Sequence, residues 1–167
     1  MNFLLRFFFL ICLVGISISA RAEEFTGAVT RVADGDTVTV VVKNGDKIKI
    51  RLVGIDAPEK DQPHGLVSKN YLEEIVEGKQ INARCDTKDR YRRWLCKIFL
   101  DGVDLNLRQL ELGNAWWYRA YAKDQSIGDR AVYAKAESKA RNDKLGLWAG
   151  ASPVPPWDWR LQQKKRK

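Results

Sequence analysis

The chain has 167 residues, 45% of them apolar, and 29 Lys and Arg against 21 Asp and Glu give a formal charge of +8. The length suits one domain, and the apolar content excludes a wholly disordered chain. The basic balance favours anionic partners such as nucleic acid or an acidic membrane surface, with plain solubility as the bland alternative. With His64 the single histidine and no zinc-type Cys/His spacing, the sequence argues against histidine triads, zinc sites and two-histidine chemistry, so catalysis would rest on carboxylates, Lys, Tyr or Arg.

Residues 1–22 read as a secretory signal. Met1 to Arg6 is short and positive, Phe7 to Ile18 is almost wholly apolar, and Ala20-Arg21-Ala22 has the small-x-small form of a peptidase site. Cleavage after Ala22 would give a secreted or periplasmic protein. The alternative is an uncleaved N-terminal membrane anchor, for which the apolar run falls short of the roughly 20 residues a span needs.

Residues 23–148 carry the domain. Phe25 to Val32, Thr37 to Lys43 and Lys47 to Val53 read as strands, and Asn44-Gly45-Asp46 as the turn of a hairpin joining the last two. A two-residue loop would set Val38 against Arg51 and Val40 against Lys49. A three-residue loop is therefore expected, pairing Val38 with Leu52, Val40 with Ile50 and Val42 with Ile48. Leu66 to Val76 has helical spacing, with Leu66, Tyr71, Leu72, Ile75 and Val76 on its apolar side and Gly78 as its stop. Gln80 to Cys85 and Arg93 to Leu100 are further strands. Asp104 caps a short helix over Leu105 to Leu112, ended by Gly113, and Asp129 to Lys144 forms a longer one before Gly146-Leu147-Trp148 closes the domain. Three strands, a helix and two strands is the order of an OB-fold, giving an α+β fold with a five-stranded barrel and about three helices.

The tail, residues 149–167, is rich in Pro, Trp and basic residues. Pro153, Pro155 and Pro156 are expected to exclude helix. Trp157, Trp159, Arg160 and the final Lys164-Lys165-Arg166-Lys167 either contact nucleic acid by stacking and charge, or the tryptophans dock on the domain and the basic end is solvated; docking is the favoured expectation. Cys12 leaves with the signal. Cys85 and Cys96, on neighbouring strands, either form a disulfide, as an even pair in an exported protein suggests, or are two small buried hydrophobes.

Two acidic clusters stand out: Asp34-Gly35-Asp36-Thr37, and Arg51-Leu52 followed by Asp56-Ala57-Pro58-Glu59. Asp34 is explained by turn chemistry alone. In the expected register Asp36 lies opposite Gly54, with Asp56 two residues beyond on the same face, a diagonal separation of about 7–8 Å. Two carboxylates on an apolar face are costly unless they share a cation, and oxygen donors favour calcium or magnesium.

These clusters, with Tyr91-Arg92-Arg93 and in this order on an OB-like strand pattern, resemble the staphylococcal nuclease family from about Phe25 to Trp148. The resemblance implies a calcium-dependent endonuclease that cuts DNA and RNA at the 5′ P–O bond and leaves 3′-phosphate ends. It implies that Asp36 and Asp56, with the backbone carbonyl of Ala57, hold one Ca²⁺, that Glu59 activates or orients the attacking water, and that Arg51 and Arg93 clamp the phosphate. Tyr91, with Tyr118 or Tyr121, would line the nucleotide pocket. The chemistry suits these roles, since a cation and two planar guanidiniums can stabilise charge on a phosphodiester under attack and Glu59 is a base in reach of water. Strand parity alone would point Arg51 outward, and Arg93 alone reads as an exposed hairpin residue, so both roles come from the resemblance.

Two positions depart from the family pattern. Ala57 stands where Thr is common, which keeps a carbonyl but removes a hydroxyl. Arg92 stands where Gly is usual, and a positive φ there would strain it. The substrates would be DNA and RNA; no stable protein partner is implied, and a monomer is expected. The rival class is a non-catalytic OB module that binds nucleic acid or another polyanion, but such degenerate domains lose the acids and arginines that this chain keeps at all five positions.

Overall fold

Period-two alternation of apolar residues builds the frame. In the computed structural model, which describes residues 23–166, the strands are β1 (Glu23–Asp34), β2 (Thr37–Val42), β3 (Lys47–Leu52), the short β4 (Ile55–Asp56), β5 (Gln80–Lys88) and β6 (Trp94–Leu100), followed by the two-residue β7 (Val103–Asp104) and β8 (Trp116–Trp117). The expected signal, residues 1–22, lies outside the described residues. Strand order runs β3-β2-β1-β5-β6, and parallel pairing of β6 with β3 closes the five-stranded barrel. Val38 and Val40 of β2, Ile50 and Leu52 of β3, Ile81 and Ala83 of β5 and Ile98 of β6 are buried in one core, as the alternation requires.

Helix α1 (Gly65–Val76) crosses between β4 and β5, α2 (Leu105–Glu111) follows β7, α3 (Ile127–Asn142) follows a 3-10 turn at Arg119–Asp124, and α4 (Pro156–Lys165) ends the chain. The Asp104 side chain accepts a hydrogen bond from the Leu107 N–H and so caps α2 as expected. The α1 face differs from expectation. Leu72 and Val76 are buried, with Gly65 and Ser68 completing the contact face, whereas Leu66 is exposed.

The hairpin register also differs. Val38 pairs with Ile50 and Val40 with Ile48, two residues away from the expected pairing. The loop is still three residues long, but it comprises Lys43, Asn44 and Gly45. Asp46 already accepts the Val42 N–H, and Gly45 takes the left-handed third position at φ 88°. A shift of two preserves the faces, so valines still meet isoleucines. It moves Asp36 opposite Leu52, whose N–H donates to the Asp36 carbonyl. Diagonal pairing across β2 and β3 therefore does not bring Asp56 to Asp36.

Cys85 of β5 and Cys96 of β6 face each other in the ladder and are joined by a disulfide. The double variant Cys85→Ala/Cys96→Ala should lose about 2–3 kcal/mol, the loop-closure entropy for this short span. Chemical denaturation should show the same loss when the wild-type chain is reduced.

The tail corrects the expectation of no helix. Pro156 is the first residue of α4, where its missing N–H would have had no helical partner. Asp158 in the first turn and Lys164 and Lys165 in the last complement the helix dipole. The Trp157 ring stacks on Tyr118 at 5.4 Å and meets Trp116 edge-on at 5.7 Å, so this end of the tail is docked on the domain.

Candidate active site

Three backbone devices converge on one end of the barrel. The turn between β1 and β2 is closed by Asp34, whose Oδ1 accepts the Asp36 N–H at 3.1 Å. Asp36 leaves that turn only 4% exposed. Thr37 Oγ1 donates to its Oδ1 at 3.0 Å, and the Ala57 N–H donates to its Oδ2 at 2.7 Å. Gly54, at φ 79°, turns the chain out of β3; a side chain there would also run into the Gln125 amide. The chain then enters β4, which leaves the barrel and pairs with β8, Asp56 opposite Trp116. That turn brings Asp56, 1% exposed, back towards Asp36.

Arg51 joins the two acids. Strand parity points it away from the core, as expected, but the turn carrying Asp36 and the β4 segment roof that side and leave it only 9% exposed. Its Nη1 pairs with Asp36 Oδ2, and its Nη2 donates to Asp56 Oδ1 at 2.7 Å. Burial pushes the Asp36 carboxyl well above the usual range; Arg51 pulls it down, while Asp34 and Asp56 push it further up. Burial works against the Arg51 charge too, yet Asp36, Asp56 and Asp34 together hold it above its ordinary value.

Glu59 lies beyond Pro58 on the loop towards α1, where the Glu59 N–H donates to Gln62 Oε1 and the Gln62 N–H returns to the Glu59 carbonyl. Its carboxylate meets an arginine expected only as part of the basic tail, not at the acids: Arg160 of α4 donates from Nη1 to Glu59 Oε1 at 2.8 Å and from Nη2 to Asp56 Oδ2 at 2.8 Å. The signal for it was available. Pro at the first helical position, Asp in the first turn and lysines in the last mark a helix, and Trp157 and Arg160, three apart, share its face.

Arg93 approaches from the other side without touching the carboxylates. Its Nε and Nη2 are held by Asp89, and its Nη1 donates to Thr37 Oγ1 at 3.4 Å, one hydrogen bond from Asp36. Arg92 has φ 63°, the conformation in which a non-glycine residue is strained. Arg92→Gly should therefore raise stability by about 0.5–1 kcal/mol, read as a higher denaturation midpoint at constant m value.

The tyrosines divide. Tyr118, with its ring 4.7 Å from Tyr121, is held above its ordinary pKa by burial and then by Asp56, which places it beside the acids. Tyr121 is half exposed, and Tyr91 is 65% exposed on the loop before β6 with Arg93 over its ring.

The donor set fits a hard divalent cation. Asp36 and Asp56 offer oxygen only, and with Asp34 and Glu59 nearby the acids outnumber Arg51 and Arg160. Among the described residues no ready-made cage of three or more His, Cys, Asp or Glu side chains forms, so a cation here would complete its shell with backbone carbonyl or water.

A family model described as staphylococcal nuclease homologue matches residues 49–150. A Haemophilus influenzae protein described as an uncharacterized endonuclease is 37% identical over 142 residues, 85% of this chain and 76% of that protein. The chain belongs to the staphylococcal nuclease family. By class this makes it a nuclease hydrolase. An uncharacterized endonuclease of Escherichia coli O157:H7 is 39% identical over 138 residues, 82% of this chain and 86% of that one. A staphylococcal-like nuclease of Arabidopsis thaliana is 40% identical over 118 residues, 71% of this chain but only 35% of the plant protein. The family span ends at residue 150, ahead of α4, so Arg160 reaches the site from outside the matched segment.

Proposed function

We propose that this chain is an exported, calcium-dependent endonuclease that hydrolyses DNA and RNA at the 5′ P–O bond and leaves 3′-phosphate ends. The observation that carries this reading is the buried Arg51 guanidinium held between the Asp36 and Asp56 carboxylates. Asp36 and Asp56, with the Ala57 carbonyl, would hold one Ca²⁺, which when bound supplies positive charge against their repulsion and against charge developing on the phosphate. Arg51, paired here with Asp36 and Asp56, would serve as one phosphate clamp at the buried end of the site, and Arg93 would supply a second guanidinium on the side of Thr37. Glu59, at the open side, takes the proton of a water whose oxygen attacks phosphorus; the 5′ oxygen leaves and is protonated from solvent. Tyr118 and Tyr121 supply aromatic surface beside Asp56, and Tyr91 beside Arg93, for a nucleotide base.

Export rests on the signal-like residues 1–22 and on the Cys85–Cys96 disulfide, which persists in oxidising compartments. No helix among the described residues is long and apolar enough to cross a membrane. End analysis tests the bond cleaved. Products of calcium-dependent digestion of DNA and of RNA should carry 5′-hydroxyl ends, and their 3′ ends should resist polymerase extension until treated with phosphatase. Directly extendable 3′-hydroxyl ends would contradict the proposed bond.

A further inference from the structure

Arg160 is held at the site by a well-anchored element. Trp157, on the same face of α4, stacks on Tyr118 with an interplanar angle of 4°. Pro156 is buried, and Gln62 Nε2, on the loop that carries Glu59, donates to the Val154 carbonyl at 2.6 Å just before the helix. A segment meant to leave the site would be held loosely; this one is tied by aromatic packing and by the Glu59 loop itself.

The guanidinium is only partly used. Of its five N–H donors, Nη1 supplies Asp56 Oδ1 at 3.3 Å and Glu59 Oε1 at 2.8 Å, and Nη2 supplies Asp56 Oδ2 at 2.8 Å. The N–H of Nε and the second N–H of Nη2 have no acceptor among the described residues, and the side chain is 39% exposed. These two donors lie along one edge of the planar group, the spacing that two oxygens of a phosphate match. Burial opposes the Arg160 charge, but Asp56 and Glu59 outweigh it, so the group stays cationic.

We propose that Arg160 is a third substrate-binding arginine of this active site: one edge of its guanidinium fixes Asp56 and Glu59, and the free edge takes a phosphate of the bound nucleic acid strand. This rests on the nuclease reading given above.

The whole chain, as wild type, Arg160→Ala and Arg160→Lys, is titrated with a single-stranded oligonucleotide in EDTA across a salt series, and its cleavage with calcium is measured separately. Arg160→Ala should flatten the slope of log affinity against log salt by about 0.7, the loss of one phosphate contact on a single strand. It should also lower kcat/KM about 100-fold, while leaving the tryptophan fluorescence of the docked α4 in place. Arg160→Lys should keep the slope but recover only part of the rate, because an ammonium cannot span two oxygens and two carboxylates at once.

A slope unchanged by Arg160→Ala overturns the phosphate contact even if the rate falls, since Arg160 would then act only through Glu59 and Asp56. A rise in cleavage also overturns it and makes Arg160 a plug over Asp56. If the wild type binds the oligonucleotide but cuts nothing with calcium, the nuclease reading fails while the slope still decides the contact.

Discussion

Glu59→Gln should lower kcat by about 10²–10⁴, the range that one positioned general base contributes, with little change in KM or stability. The substitution keeps shape and size, and the amide oxygen can still accept from Arg160 Nη1, which now donates to Glu59 Oε1 at 2.8 Å. What it removes is the capacity to take a proton from water. Steady-state kinetics with calcium, beside a thermal melt, separates this from a folding defect. A Glu59→Gln protein that cleaves at the wild-type rate would show that this carboxylate is not the base.

Arg51→Ala should have two effects of different origin. Cleavage should fall by at least about 10³ in kcat/KM, from the loss of the guanidinium proposed to clamp the phosphate. Stability should fall by about 3–5 kcal/mol, because the buried Asp36 and Asp56 lose the cation between them. The pH dependence has a definite sign. Burial already raises the Asp36 carboxyl, and removing Arg51 takes away the interaction that pulls it down. A carboxyl whose folded-state pKa is raised contributes stability that is complete below its unfolded pKa and is lost as pH rises through the folded one. Arg51→Ala should therefore be less destabilised in acid than at neutral pH, and added calcium should restore part of its stability at neutral pH by mass action. Arg51→Lys keeps a charge but not the fork, so it should recover more of the stability than of the rate. Denaturation midpoints from pH 4 to pH 8, with and without calcium, check both parts; a loss independent of pH would place its origin in packing rather than in unpaired charge.

Much of the barrel was legible because its signal is local. Val38, Val40, Ile48 and Ile50 alternate with polar residues, and that period specifies a face whatever their partners turn out to be. The exact partners were not legible. Gly45 can take a left-handed turn position in more than one loop, and the choice between pairings two residues apart leaves the faces unchanged. The same limit affected the acids. Asp36 and Asp56 were expected together through strand pairing, but they meet because Gly54 turns the chain into β4 and β4 is held by β8. Arg51 is the clearest case. Its outward parity was correct, yet the space it points into is roofed by segments on either side of it in the chain, which no count along one strand reveals. Arg160 was hidden behind three prolines. The rule that proline breaks helices was applied to Pro156, where the exception for a first helical residue holds.

The most direct test of the central claim, that Asp36, Asp56, Glu59 and Arg51 form one calcium-dependent phosphodiesterase site, is digestion of supercoiled plasmid by the wild type and by Glu59→Gln, each with calcium and with EDTA. The wild type should nick and degrade the plasmid with calcium and leave it intact in EDTA, and Glu59→Gln should be slower by at least about 10². Cleavage that survives EDTA, cleavage by Glu59→Gln at the wild-type rate, or a folded wild type that cuts nothing with calcium would contradict it.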